Sequence, residues 1–200
     1  MAGSLVDRAD AGDPAAAAAL LAQHLTGLHA FIRLRMGPPL RRREDSGDLV
    51  QSVCAEILGN LSRYQHPGER QFRQWLFRTA ERKIADHWKH QRRLKRDPAR
   101  EVRLADSEGG HDLQLLAQYR SFCSPSGRVA AREELERAEA GFDKLAEDER
   151  EVILLANVVG LSRAEIATQL GKSEGAVRTM LSRALSHLAE LVDEPSGGAG

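Results

Sequence analysis

Apolar residues along this chain recur at spacings of three and four, the period of a helix, and the breaks between the periodic stretches carry glycine and proline. Pro14 opens the first stretch, AAAAALLAQHLTGLHAFIRLRM, which should form a helix that stops before Gly37-Pro38-Pro39. Its alanine run is a strong helix former rather than a disordered low-complexity tract. A mixed-charge turn, RRREDSGD, leads to a second expected helix from Asp48 to about Leu61, with Leu49, Val53, Ile57 and Leu58 as its packed stripe and Asp45 or Ser46 as its cap. His66-Pro67-Gly68 breaks it. The longest helix is expected from Glu69 to about Lys95. At about 100° per residue Phe72, Trp75, Leu76, Thr79 and Ala80 share one face, while Arg78, Arg82, Lys89, Arg92 and Arg96 gather opposite.

From Asp97 to about Arg128 the periodicity fades into Asp97-Pro98, Ser107-Glu-Gly-Gly110 and Ser124-Pro-Ser-Gly127, with room for one short helix at 113–117. This reads as a flexible linker over 97–127. Beyond it, Val129–Leu145 and Glu147–Val159 are predicted helices, the second packing through Val152, Leu155, Ala156 and Val159. The segment 162–188 then reads as helix, tight turn and helix. Ala167 permits close approach, Gly171 supplies the turn and Val177 packs the second helix back on the first. Ser162 with Glu165 forms a capping box, and Ser173 can cap the second helix. Val177, Leu181, Ala184, Leu188 and Leu191 make the second helix's buried seam; Glu174, Arg178, Thr179, Ser182 and Arg183 remain on its polar face. Such a face can enter a DNA groove, with Arg178 placed for a bidentate pair to guanine and Arg183 for phosphate. Glu174 could accept from cytosine, although a helix N-terminus favours an acid without any ligand. A plain helical hairpin is the bland alternative for the whole segment.

Composition narrows the class. An aromatic share of 4% within 42% hydrophobic residues suits two small domains with thin aliphatic cores better than one thick core. The predicted fold class is therefore all-α: domains at 1–96 and 128–192, the linker between them and a disordered tail at 193–200. No uninterrupted apolar run approaches the length of a membrane span, and the opening MAGSLVDRAD has no apolar signal core. We therefore expect a cytoplasmic protein without membrane insertion. Cys54 and Cys123 lack CxxC partners, and His87 and His90, though i, i+3, fit a solvated basic face better than a metal site, so neither metal nor cofactor is expected.

Zero net charge hides an asymmetry. Residues 1–100 hold 18 Lys and Arg against 11 Asp and Glu, and residues 101–200 the reverse. Between Arg78 and Arg100 nine basic residues face three acids, a stretch that attracts a polyanion.

Two stretches resemble a known family. LAEDEREVILLANVVGLSRAEIATQLGKSEGAVRTMLSRALSHLAEL (145–191) resembles the C-terminal promoter-binding region of bacterial sigma factors, and DLVQSVCAEIL (48–58) with FRQWLFRTAERKIADHWKHQRR (72–93) resembles their N-terminal core region. Two such regions joined by a short linker is the arrangement of the extracytoplasmic-function (ECF) group. The resemblance implies a sigma factor that directs promoter-specific initiation by core RNA polymerase, docking on the clamp helices of one large subunit and the flap of the other. An anti-sigma factor is a further implied candidate partner. Carried over by motif, Asp48, Leu49, Val50 and Gln51 match the polymerase-facing helix. Arg82, Asp86, His87, Trp88, Lys89, His90, Arg92 and Arg93 match the end of the long helix that faces and melts the −10 element, with Trp88 off the packed face and able to stack on a base or cover a neighbouring helix. Arg178, Thr179, Ser182 and Arg183, with Glu174, match the −35-reading helix, and the loop 63–70 matches the segment that captures a flipped base. Ser52 and Cys54 depart from the acid and aromatic common in relatives.

Two other classes compete. A stand-alone helix-turn-helix regulator would use residues 162–191 and leave the basic helix and DLVQ segment idle. A nucleic-acid enzyme would need clustered carboxylates or a nucleophile beside a base, and neither grouping is found, so the chain is not expected to be an enzyme.

Overall fold

The computed structural model describes residues 5–61, 68–94, 110–120 and 131–193, and among them every regular element is a helix. The chain divides into two compact units, Met1–Asp106 and Ser107–Gly200. The first holds α1 (Leu5–Asp10), α2 (Pro14–Arg41), α3 (Ser46–Gly59) and α4 (Glu69–Leu94); the second holds α5 (Gly110–Arg120), α6 (Ala131–Lys144), α7 (Glu147–Ile153), α8 (Arg163–Leu170) and α9 (Glu174–Asp193). Inside the linker expected over 97–127, residues 110–120 form a helix packed on α6, longer than the short helix expected at 113–117. Residues 97–109 and the tail from 194 lie outside the described residues.

In the first unit α2 is the central helix. Asp13 caps it, accepting from the Ala15 and Ala16 amides at 2.9 and 3.2 Å. The bond from Arg8, then the Ala16 amide, holds the Asp13 carboxyl below its usual range. Gly37 breaks the helix where the sequence placed its end, with φ 66° in the left-handed region that favours glycine. The chain then makes one further turn to Arg41. Pro38 and Pro39 tolerate this because the amides they lack would be unpaired at a helix start, and Leu40, 1% exposed, anchors the turn in the core. By length and hydropathy α2 could cross a membrane. Here Leu20, Leu28, Phe31, Ile32 and Met36 are covered by α1, α3 and α4 instead, so the apolar character goes into a core.

Leu49, Val50, Val53 and Ile57 from α3 and Phe72, Leu76, Phe77, Ala80 and Ile84 from α4 complete that core. Phe31 and Phe77 meet edge to face with centroids 4.9 Å apart, joining α2 to α4. The α3 cap is Asp45, which accepts from the Gly47 amide at 2.7 Å, so the helix starts two residues before the expected Asp48. Leu58, expected in the packed stripe, is 41% exposed, and Val50 takes the buried place.

His24 of α2 faces the start of α4. Its Nε2 lies 3.6 Å from Glu69 Oε1, and Phe72 and Arg73 are its other neighbours there. Burial, the leading cause, pushes its pKa below the ordinary 6.5, with Arg73 acting the same way and Glu69 against. A neutral His24 in the fold means that the unfolded chain takes up a proton first. Its contribution to stability is complete above about pH 6.5 and is lost as pH falls through the depressed folded value. Urea unfolding followed by tryptophan fluorescence should show a lower midpoint at pH 5.5 than at pH 7.5, and His24→Gln should flatten that difference. An equal pH difference in both proteins would exclude His24 as the cause.

In the second unit Leu115, Leu116 and Tyr119 of α5 are buried against α6. The Tyr119 hydroxyl donates to Glu139 at 3.1 Å, Arg120 pairs with Glu134 at 2.7 Å, and Gln118 donates to the Asn157 carbonyl at 3.2 Å. A Cβ at Gly141 would lie 2.8 Å from Val192 Cγ2, so glycine allows α6 and α9 to approach closely. The expected helix 147–159 is α7 followed by a wider π turn, Leu154–Val158, closed by the Val159 amide donating to the Leu154 carbonyl at 2.8 Å. The turn buries Leu154, Leu155 and Val158, while Ala156, expected in the packed stripe, is only half-buried.

Candidate nucleic-acid interface

The second unit presents α8 and α9 as a helix-turn-helix. Ser162 Oγ accepts from the Glu165 amide at 3.3 Å, and Glu165 accepts from the Ser162 amide at 2.8 Å, the reciprocal cap read from the sequence. Gly171 has φ 63° and ψ 35°, and its amide and that of Lys172 both donate to the Ala167 carbonyl, which closes α8 in a left-handed turn. Ser173 Oγ then accepts from the Ala176 amide at 3.2 Å and starts α9. Val177, Ala184, Leu188 and Val192 are its buried line; Leu181 and Leu191 of the expected seam are half-buried.

Turning that line inward leaves Glu174, Arg178, Thr179, Ser182 and Arg183 exposed. Thr179 Oγ1 donates to the Gly175 carbonyl at 3.1 Å, so its hydroxyl offers acceptor lone pairs outward. Among the described residues neither Arg178 nor Arg183 forms an ion pair. Both guanidinium forks are therefore available to an external acceptor.

The end of α4 is less uniform. Arg82 and Lys83 both pair with Glu56 of α3, Lys83 at 3.1 Å. His87 Nδ1 meets Glu44, which also accepts from Gln91 at 3.0 Å. Asp86 and Lys89 pair along the helix at 3.1 Å. Trp88 is half-buried, while His90, Arg92 and Arg93 are exposed and, among the described residues, unpaired. The set matched from sequence therefore splits: Arg82 and His87 brace α4 against α3 and the preceding turn, and His90, Arg92 and Arg93 point to solvent. Residues 62–67, most of the loop matched to base capture, lie outside the described residues.

On α3, Asp48 and Gln51 are exposed, whereas Leu49 and Val50 are 1% and 8% exposed. The last two pack into the core of the first unit, as the helical period of Leu49, Val53 and Ile57 implies for Leu49. Cys54 is half-buried, and burial raises its thiol above the usual range, which makes it a poor nucleophile.

Sequence reasoning overlooked Glu44 and Glu56. Each bonds to side chains of α4 more than 25 positions away, a pairing that no local pattern announces.

A helical unit with a cationic end and a separate helix-turn-helix unit are the equipment of a nucleic-acid-binding protein. The chain matches sigma-70 region 2 over residues 20–94 and sigma-70 region 4 over residues 135–188. It is 33% identical to the ECF RNA polymerase sigma factor ShbA of Streptomyces griseus, over 96% of this chain and 95% of that one. It is likewise 33% identical to the RNA polymerase sigma factor CnrH of Cupriavidus metallidurans, over 96% and 94%. The solved structure of CnrH in complex with the cytosolic domain of CnrY superposes with a TM-score of 0.55 at 28% identity, covering 96% of this chain and 97% of that one. The fold also matches the sigma factor RpoE from Bartonella quintana, solved with the anti-sigma factor NepR, with a TM-score of 0.51 at 18% identity over 86% and 93%. The chain belongs to the ECF RNA polymerase sigma factors. Members of that family are non-enzymatic factors that direct promoter-specific initiation by RNA polymerase.

Proposed function

We propose that the two units grip a promoter at two places: α9 reads the −35 element, and the exposed end of α4 holds the −10 element as it opens. The observation that carries this reading is the pair of unpaired guanidinium groups, Arg178 and Arg183, on the one face of α9 that its buried line leaves outside. Trp88, His90, Arg92 and Arg93 supply what a melted strand needs, an aromatic face and cations. Work on DNA inside the cell accounts for a cytoplasmic location. The stand-alone regulator is not favoured, because it leaves the whole first unit without a role.

Polymerase docking falls to the exposed side of α3, through Asp48 and Gln51, with Leu49 and Val50 holding that helix in place from beneath. The double variant Asp48→Ala/Gln51→Ala should weaken binding to core polymerase about tenfold, or about 1.4 kcal/mol. DNA binding by α9 should be unaffected. Titration of the labelled chain with core polymerase measures this, and unchanged affinity would move the docking surface elsewhere. CnrH was solved with the cytosolic domain of CnrY; by that likeness a protein partner is proposed for this chain too, and the resemblance to ECF sigma factors makes an anti-sigma factor the candidate.

A further inference from the structure

Beside the −10-facing end of α4 stands a second cationic element on a different part of the chain, the turn between α2 and α3. The break at Gly37 and the extra turn to Arg41 set its position. The Arg42 amide donates to the Pro38 carbonyl at 3.2 Å, and the Arg43 and Glu44 amides both donate to the Leu40 carbonyl at 3.0 Å, so its backbone is closed and its side chains project outward. Glu44 meets His87 and Gln91, and Arg43 donates to Gln91 Oε1 at 3.3 Å. These bonds fix the turn against the last turns of α4. By the helical step of about 100°, Gln91 lies only about 60° around α4 from Trp88.

The charges of this region sort cleanly. Arg35, Arg82 and Lys83 face Glu81 or Glu56, and Arg41 spends its guanidinium on the Arg33 carbonyl at 2.8 Å. Arg42 is exposed and, among the described residues, unpaired; Arg43 is exposed, and the Gln91 oxygen it meets is a neutral amide. Two uncompensated cations therefore stand on a separate segment that is tied to α4 at Gln91, the residue that precedes Arg92 and Arg93.

We infer that Arg42 and Arg43 form a second phosphate-binding element, which holds the promoter backbone alongside the α4 face. The inference rests on the −10 reading of α4 and extends it. Neither arginine touches a base in this arrangement: bonds to phosphate fix position and carry no sequence preference. Removing one arginine–phosphate bond should lower the slope of log affinity against log salt by about 0.7–0.9, the smaller value for single strands.

The probe is a fork-junction DNA enriched from a random-sequence pool by the unaltered holoenzyme, with binding measured across a salt series. Arg42→Ala should lower the slope by that amount and Arg42→Ala/Arg43→Ala by about twice as much, with the −10 base preference unchanged; lysine at both positions should restore it. Because Arg42 has no side-chain partner among the described residues, the single variant tests the site without disturbing the fold. Slopes unchanged in the Arg42 and Arg43 variants but lowered in Arg92→Ala/Arg93→Ala would overturn this inference and leave the α4 reading intact. If no sequence is enriched, or if neither pair changes the slope, the α4 reading fails and this inference with it.

Discussion

Phe31→Ala should destabilise the first unit by about 3–5 kcal/mol, the usual cost of removing a fully buried phenyl ring and leaving its cavity. Phe31 has no exposed surface, and its ring joins α2 to α4 through Phe77. A small domain has about 5–15 kcal/mol in all, so the loss approaches unfolding. Both tryptophans, Trp75 and Trp88, lie on α4, so their fluorescence reports the first unit directly. The urea midpoint read from tryptophan should fall steeply, and polymerase binding should fail with it. The helix-turn-helix is built from other residues and should keep its grip on DNA. A tryptophan midpoint equal to that of the unaltered chain would show that the packing of α2 on α4 does not hold the unit together.

The second large effect is expected at Arg178. Its side chain is exposed on the second helix of the helix-turn-helix and has no internal partner among the described residues, so truncation should leave the fold alone. A bidentate pair to a guanine is worth about 1–3 kcal/mol of discrimination. Arg178→Ala should therefore weaken promoter binding by that amount and flatten the preference at one position of the −35 element. Arg183→Ala, if the residue binds phosphate as proposed, should weaken all sequences alike and reduce the salt slope instead. Competition binding against a panel of single-base −35 variants separates the two. An Arg178→Ala protein with the original base preference would take base reading away from this residue.

Local chemistry makes much of this fold readable from the sequence. The capping box at Ser162 and Glu165, the left-handed turn at Gly171 and the buried Val177 each follow from a few neighbouring residues, and each stands where its residue type placed it. Elements set by distant partners are less readable. The six-residue α1 has too little sequence to show a period, and it rests on α2 through bonds such as that of Arg8 with the Asp13 cap. Helix α5 reads as part of a linker because glycine and proline surround it; Tyr119 and Leu116 find their burial only on α6. In the same way the basic face of α4 looks uniform in sequence. Only folding shows that Glu56 and Glu44 neutralise or engage part of it and leave Arg92 and Arg93 outside.

The most direct measurement of the central claim is run-off transcription with purified bacterial core polymerase and candidate promoter fragments, with and without this protein. A start site that appears only with the protein, and that is lost when the −10 or −35 segment is scrambled, is the predicted result. Binding to the same DNA without any promoter-dependent start would contradict it.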